Sequence, residues 1–535
     1  MIMINLIRKY PWLLIIAAIM LLAPALLINL GLNPVFLASD EAIRALVSTE
    51  MILSGDYLIP TIQGELYMNK PPLYNWILAG AFLLFDSYDE WVIRLPNLVS
   101  FILFGIVIFF SFRKSTGNYR SALIALMFMT SGRLLFWDSF LGLIDILFSL
   151  IVFLNFMVIY HFFRKDKLLT LFLISYLLTA VAFMFKALPA LLFQAITLLV
   201  LFTMNRQFRK LISWKHISGI LLLAILLGSY YLIYYLLRPD DIDKMFYTIF
   251  EQSTRRTGLK FGLLKTIEHF FAFPFEVIYH FAPWTLMLPV LFRKNLMGAI
   301  RRDNTVLYMT LIFLFNIIIY WISPEVFPRY LFMFIPLLLY VFMYLYELNP
   351  HKYAIRIINL IWYLIIVASI LIFLALPFTP YFDFVEHKIL KALLIAFGLG
   401  LLLIIFYMII PQRIAIVIIS LLLIRIGYNW FILPNRAHET QTFKDQALKV
   451  ADITKGSRLY VYKGSVYQHA ISFYLSSRRG EIVRVKSDDF DPDAYYMVYQ
   501  YLIDDREYIN YLDFEIEWNR RALKLVKFTD WPETQ

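Results

Sequence analysis

Apolar runs of about twenty residues recur from residue 11 to residue 430, separated by short charged segments, and no water-soluble core absorbs so many of them. Each run is long enough to cross a ~30 Å hydrocarbon layer as a helix that satisfies its own backbone hydrogen bonds. Composition agrees, since 61% of the 535 residues are hydrophobic and only 16% charged, against about a quarter charged in ordinary soluble domains. A polytopic membrane bundle is therefore expected. A soluble enzyme, a disordered scaffold and a nucleic-acid-binding module are excluded. The chain has no Cys, which removes disulfides, thiolate metal sites and cysteine nucleophiles from consideration.

Charge sorts the loops into two sets. Segments around Arg113-Lys114 and Arg120, Arg164-Lys165 and Lys167, Arg206 to Lys215, Arg293 to Arg302, and Lys352 to Arg356 are rich in Lys and Arg, which marks the cytoplasmic side. The net charge of +11 thus reports topology and contact with acidic membrane lipids rather than a nucleic-acid partner. Opposite loops are longer, and residues 32–93 carry eight acids against few bases. Threading helices between the two sets predicts about thirteen spans, near 11–30, 94–112, 121–138, 141–163, 168–185, 188–204, 217–237, 274–292, 305–322, 327–347, 357–375, 392–410 and 414–430. The basic flank Arg8-Lys9 keeps the N-terminus cytoplasmic, and an odd number of spans puts the C-terminus outside.

Two outer loops, 32–93 and 238–273, mix charge with helical apolar periodicity and are expected to form short amphipathic helices along the membrane surface. Past Trp430 the composition changes. Segments Leu459 to Tyr462, Glu481 to Val485, Tyr495 to Tyr499, Phe514 to Trp518 and Leu523 to Phe528 read as strands, with a helix over Val466 to Leu475. The expected organisation is a membrane domain over 1–430 and a small α/β domain over 436–535.

The chemistry concentrates in the first outer loop. It contains Asp40-Glu41, then Ser54-Gly55-Asp56-Tyr57, then Tyr67-Met68-Asn69-Lys70-Pro71-Pro72-Leu73, and Arg94-Leu95-Pro96 opens the next span. Any one piece fits an ordinary solvated loop with a Pro-Pro turn. Their order and spacing together resemble the GT-C class of membrane glycosyltransferases that use polyprenyl-phosphate sugars, most nearly the lipid A aminoarabinose transferases and more distantly the protein O-mannosyltransferases. The resemblance covers roughly residues 1–430. It implies an all-α polytopic bundle with outer juxtamembrane helices, and transfer of a sugar from a polyprenyl-phosphate donor to a lipid, glycan or protein acceptor.

Further positions fit the same family. Lys186-Ala187-Leu188-Pro189 matches a lysine near the outer end of the fifth span, and an intramembrane Lys is costly unless it has a role. Glu251 to Arg256 matches a charged juxtamembrane segment loosely, and Pro328-Arg329-Tyr330 matches an Arg-Tyr at the outer start of the tenth span. The resemblance thus implies that Lys70, Arg255, Arg256, Lys186 and Arg329 bind the donor phosphate, with Tyr67 and Tyr330 nearby. A second family carboxylate falls on Asp145 or Asp138, depending on how the third span is counted. Asp145 is preferred, because an acid within Leu143-Ile144-Asp145-Ile146-Leu147 is expensive without a partner.

One position departs from the family: Asn69 stands where the aminoarabinose transferases have a Glu that can contribute to a metal site. With eight His and no HxxxH or HExxH spacing, no metal and no other cofactor is expected. The chemistry implied is an inverting transfer, with Asp40 as the acceptor's base or orienting group and Glu41 its substitute. A competing reading, a flippase or other transporter of polyprenyl-linked saccharides, predicts paired repeats and midplane helix breaks, and neither is evident. The resemblance favours a bacterial inner membrane. Sugar, acceptor and oligomeric state are left open by the sequence.

Overall fold

The computed structural model describes residues 2–36, 39–254, 262–348, 352–462, 469–486, 491–503, 506–514 and 523–529. The chain forms two compact units. One comprises Met1–Ile28, Asn97–Phe140 and Ile144–Ile432; the other comprises Asn29–Pro96, Leu141–Leu143 and Leu433–Gln535.

The first unit is a helical bundle. Among the described residues eight helices are long and apolar enough to cross a membrane: Glu90–Thr116, Asp145–Arg164, Leu168–Lys186, Trp214–Leu237, Asn304–Trp321, Lys352–Phe378, Lys388–Met408 and Arg413–Ile453. A bent pair, Asn118–Met129 and Gly132–Phe140, broken by 63°, raises this to nine. Trp12–Leu27, Pro189–Met204 and Ile335–Glu347 are shorter apolar helices where spans were expected. The protein is therefore a multi-pass membrane protein.

Local chemistry sets the helix ends. The Asp303 carboxylate accepts from Thr305 N at 2.7 Å and Val306 N at 3.0 Å, starting Asn304–Trp321. Pro189 opens its helix where no amide is needed. The expected span 274–292 is a correction: the Leu263–His280 helix stops, and a 3-10 turn over Thr285–Leu291 follows. Pro283 and Pro289 lack the amides that a continuous helix would require. Small polar groups tie the bundle together, with Asn155 Nδ2 donating to Thr179 Oγ1 at 3.0 Å and Gln194 Nε2 to Ser175 Oγ at 2.8 Å. In an apolar solvent such bonds supply part of the association that hydrophobicity cannot.

The second unit is built on a five-stranded sheet. Its strands are β3 (Leu459–Tyr462), β4 (Arg484–Lys486), β5 (Tyr495–Tyr499), β6 (Tyr508–Phe514) and β7 (Leu523–Phe528); β1 (Thr61–Ile62) and β2 (Glu65–Leu66) form a separate small ribbon. β3 runs parallel to β4 and β5, and β7 lies antiparallel between β5 and β6. Three expected strands agree closely. The expected strand at Phe514 to Trp518 is instead the end of β6, its remainder lying outside the described residues. The helix expected over Val466 to Leu475 is observed as His469–Arg479.

Residues 32–93, expected to lie along the membrane, share one apolar core with the tail. Ala42, Ala45 and Leu46 of the Asp40–Ser54 helix and Leu78 and Phe82 of the Leu73–Phe85 helix pack with Ile471, Phe473 and Leu475, and with Val461, Met497 and Leu525 of the sheet. The apolar face that periodicity detects in this loop thus has a protein partner.

Candidate active site

In the second unit, Ser39 caps the Asp40–Ser54 helix, its Oγ accepting from Ala42 N at 3.3 Å. Asp40 and Glu41 consequently sit in the first turn, where the helix's free amides favour carboxylates. Neighbouring residues on a helix point about 100° apart, so the two acids separate: Asp40 is exposed and Glu41 is fully buried. Glu41 Oε1 accepts from Arg94 Nε at 3.0 Å and from Gly142 N at 2.8 Å, and Arg94 also donates to Leu30 O at 2.6 Å. Glu41 is thereby committed to holding backbone.

One turn after Asp40, Arg44 donates to Asn75 Oδ1 at 3.1 Å and to the Tyr67 hydroxyl. Burial pushes the Tyr67 phenol above its ordinary range; Arg44 opposes the rise and Asp40 adds to it. Asp40 and Tyr67 are therefore within electrostatic reach of one another. Asn69 is exposed and Lys70 half-buried. The Ser54-Gly55-Asp56-Tyr57 step proves to be a chain reversal: Gly55 ends the helix at φ +73°, and Asp56 Oδ1 accepts from Leu58 N at 2.9 Å and Ile59 N at 3.0 Å.

Beyond it, Glu50 is a residue that the sequence reading passed over. Its buried carboxylate accepts from Thr61 Oγ1 at 2.6 Å, from Gly64 N at 3.1 Å and from Gln63 N, pinning the β1–β2 ribbon. Burial raises its pKa, against these hydrogen bonds and the Arg484 charge.

The first unit holds a charged cluster of its own. Asp145 is the first residue of the Asp145–Arg164 helix, Lys186 the last of Leu168–Lys186, and Arg329 lies in the 3-10 turn Pro328–Leu331. Lys186 Nζ donates to Asp145 Oδ1, and Arg329 Nε lies 3.4 Å from Asp145 Oδ2. The ammonium of Lys186 also sits 4.1 Å from the centre of the Tyr330 ring, an arrangement that stabilises a desolvated cation. After Lys186 the chain turns at Ala187 with φ +58°, a value uncommon for a residue with a Cβ.

Asp138 belongs to the same cluster. It is buried, its Oδ2 accepts from Arg133 Nε at 2.8 Å, and the charges of Arg329 and Asp145 reach it. Both carboxylates between which the sequence reading chose are thus present in it. Arg133 is the cation that reading left without a role, although its five-residue spacing from Asp138 was available. Among these five groups three cations, Arg133, Lys186 and Arg329, meet two carboxylates, Asp138 and Asp145. Arg255 and Arg256 lie outside the described residues.

The family described as dolichyl-phosphate-mannose-protein mannosyltransferase matches residues 69–234 of the chain. Among solved structures, ArnT from Cupriavidus metallidurans bound to undecaprenyl phosphate superimposes with a TM-score of 0.72 at 15% identity, over 98% of this chain and 99% of that one. The fold is therefore that of the ArnT structure, the GT-C fold. An uncharacterized protein of Aquifex aeolicus is 23% identical over 231 residues, 43% of this chain and 46% of its own length. Undecaprenyl phosphate-alpha-4-amino-4-deoxy-L-arabinose arabinosyl transferase 1 of Proteus mirabilis is 26% identical over 219 residues, 39% of this chain and 38% of its own. The chain spans less than half the length of these curated relatives.

Proposed function

We propose that the protein is an integral-membrane glycosyltransferase that moves a sugar from a polyprenyl-phosphate donor to a lipid, glycan or protein acceptor on the extracytoplasmic face. The observation that carries this reading is the gathering of Arg133, Lys186 and Arg329 with Asp138 and Asp145 in one largely buried cluster. A polyprenyl-phosphate sugar is a phosphodiester with one negative charge, which guanidinium and ammonium groups can hold through charge-assisted hydrogen bonds. Leaving-group departure adds negative charge to that phosphate, and fixed cations stabilise the transition state more than the ground state. The family match and the GT-C fold support the same chemistry.

In this reading Lys186 and Arg329 hold the donor phosphate, with Lys70, Arg255 and Arg256 as further cations and Tyr67 and Tyr330 as supports. Asp138 and Asp145 keep the guanidinium and ammonium groups in position. The acceptor hydroxyl attacks the anomeric carbon, the bond from that carbon to the phosphate oxygen breaks with its electron pair, and Asp40 takes the hydroxyl proton. The exposure of Asp40 and the burial of Glu41 favour Asp40 for that task. The membrane is proposed to be a bacterial inner membrane, with the N-terminus cytoplasmic and the C-terminus periplasmic.

The test is turnover of a polyprenyl-phosphate sugar by purified protein in liposomes. Transfer to an added acceptor, reduced about 10²-fold or more by Asp40→Asn and by Lys186→Met, is expected. Movement of a lipid-linked saccharide across the bilayer without a new glycosidic bond would instead establish a transporter.

A further inference from the structure

Along its last three turns the Asp145–Arg164 helix borders a cavity of about 720 Å³ in the first unit, walled by the Glu90–Thr116 and Asn304–Trp321 helices as well. Asp145 opens that helix of 20 residues and Arg164 ends it, so the charged cluster and the Arg164 end of the cavity lie about 28 Å apart along one helix. The volume is in the range of small-molecule sites, about 300–1,000 Å³.

The lining has two parts. Arg113, Lys114, Arg164 and Lys165 form a cationic rim, while Val107, Leu154, Val158 and Met309 form an apolar wall. No Asp or Glu lines the cavity among the described residues. The acids closest in sequence are already paired: Asp166 accepts from Lys210 at 2.9 Å, and Asp303 caps the helix that carries the lining residue Thr305.

Two of the cations are held in place. The Arg113 guanidinium lies 4.6 Å from the Phe110 ring centre, and that of Arg164 lies 5.7 Å from the centre of Tyr160. Tyr160 is fixed in turn by stacking on Tyr308 at 4.3 Å and by a 3.1 Å hydrogen bond to Thr305. A topological run of basic residues explains four cations at helix ends. It does not explain their arrangement around a cavity that continues into an apolar wall.

We propose that this cavity binds one anionic phospholipid, its phosphate at the rim formed by Arg113, Lys114, Arg164 and Lys165 and an acyl chain along Val107, Leu154 and Val158. The charge of the rim selects an anionic headgroup, and the apolar wall selects a lipid over a free anion. The basic loops assign this end of the bundle to the cytoplasmic leaflet. The inference is independent of the reaction proposed above.

Native mass spectrometry of the full chain released from detergent tests it, with phosphatidylglycerol, phosphatidylcholine and inorganic phosphate as probes. Retention of one phosphatidylglycerol at least about tenfold over phosphatidylcholine is expected. The triple variant Lys114→Gln, Arg164→Gln, Lys165→Gln should lose that preference, and the charge-matched control Arg206→Gln, Arg209→Gln, Lys215→Gln should keep it. Val158→Trp, which fills the wall and leaves every charge in place, should also lose the lipid. Equal retention of the two lipids, equal loss in the control, full retention in Val158→Trp, or displacement of the lipid by inorganic phosphate at matched concentration each overturns the proposal.

Discussion

Glu41 and Arg94 meet 3.0 Å apart with neither side chain reaching solvent. Removing one member of such a pair leaves an uncompensated buried charge and costs about 3–5 kcal/mol. Arg94→Gln and Glu41→Gln are therefore expected to lower the apparent Tm in detergent sharply. Turnover per folded molecule should change little, because neither group is free to meet a substrate. Intrinsic fluorescence during heating, paired with turnover at low temperature, checks this. A Glu41→Gln protein with unchanged Tm and abolished turnover would show that the acids have been assigned the wrong way round.

The shared carboxylate of Asp145 makes a different prediction. It pairs with both Lys186 and Arg329, so Asp145→Asn removes the carboxylate that these two cations share. The empty protein should lose stability, on the order of 3 kcal/mol. Polyprenyl phosphate supplies the missing negative charge, and a ligand stabilises a protein in proportion to its preference for the folded state. The rise in Tm on adding polyprenyl phosphate is thus expected to be larger in Asp145→Asn than in the unaltered protein, even as transfer falls. A smaller rise would remove the cluster from the phosphate site.

Helices and intramembrane charges were legible in the sequence, because both obey one-dimensional rules. A ~20-residue apolar run needs no partner to be recognised, and a Lys before a Pro at the end of such a run stands out by its cost. What sequence does not carry is direction around the helix axis. Asp145 and Lys186 lie 41 positions apart, and nothing in their own segments says that they meet. The same holds for the loop and the tail: Ala42, Ala45 and Leu46 form a visible apolar stripe, yet a membrane surface and the Ile471 and Phe473 helix face satisfy such a stripe equally well. Glu50 was passed over because an acid on an amphipathic helix ordinarily faces water.

Glu50 gives the pH prediction. Burial raises its pKa in the folded protein above the ordinary carboxylate value of 4.5, so the folded state binds more protons than the unfolded state between those two values. Stability from this group is fully present below about pH 4.5 and declines as pH rises through the raised pKa. Glu50→Gln has no such dependence. The Tm advantage of the unaltered protein over Glu50→Gln is therefore expected to be greater at pH 4.5 than at pH 7.5, in melting curves collected for both proteins across that range. An advantage that grows with rising pH would mean that the hydrogen bonds from Thr61, Gln63 and Gly64 outweigh desolvation.

Tyr474 joins the tail to the first loop through its hydroxyl. It donates to Glu90 Oε1 at 2.7 Å and accepts from Val35 N at 2.7 Å, while Lys444 Nζ reaches the same Glu90 oxygen at 2.6 Å. Burial and the Glu90 charge hold the phenol well above its ordinary range, so it remains a donor at any working pH. Tyr474→Phe keeps the ring packing but strands the Val35 amide, and a buried donor without an acceptor costs about 1–3 kcal/mol. The loss should be local before it is global. Hydrogen exchange is expected to accelerate at Val35 and its described neighbours Asn33 and Phe36, with the Leu459–Tyr462 strand protected as before. Equal acceleration in that strand would mean that the hydroxyl supports the whole unit rather than the start of the Asp40 segment.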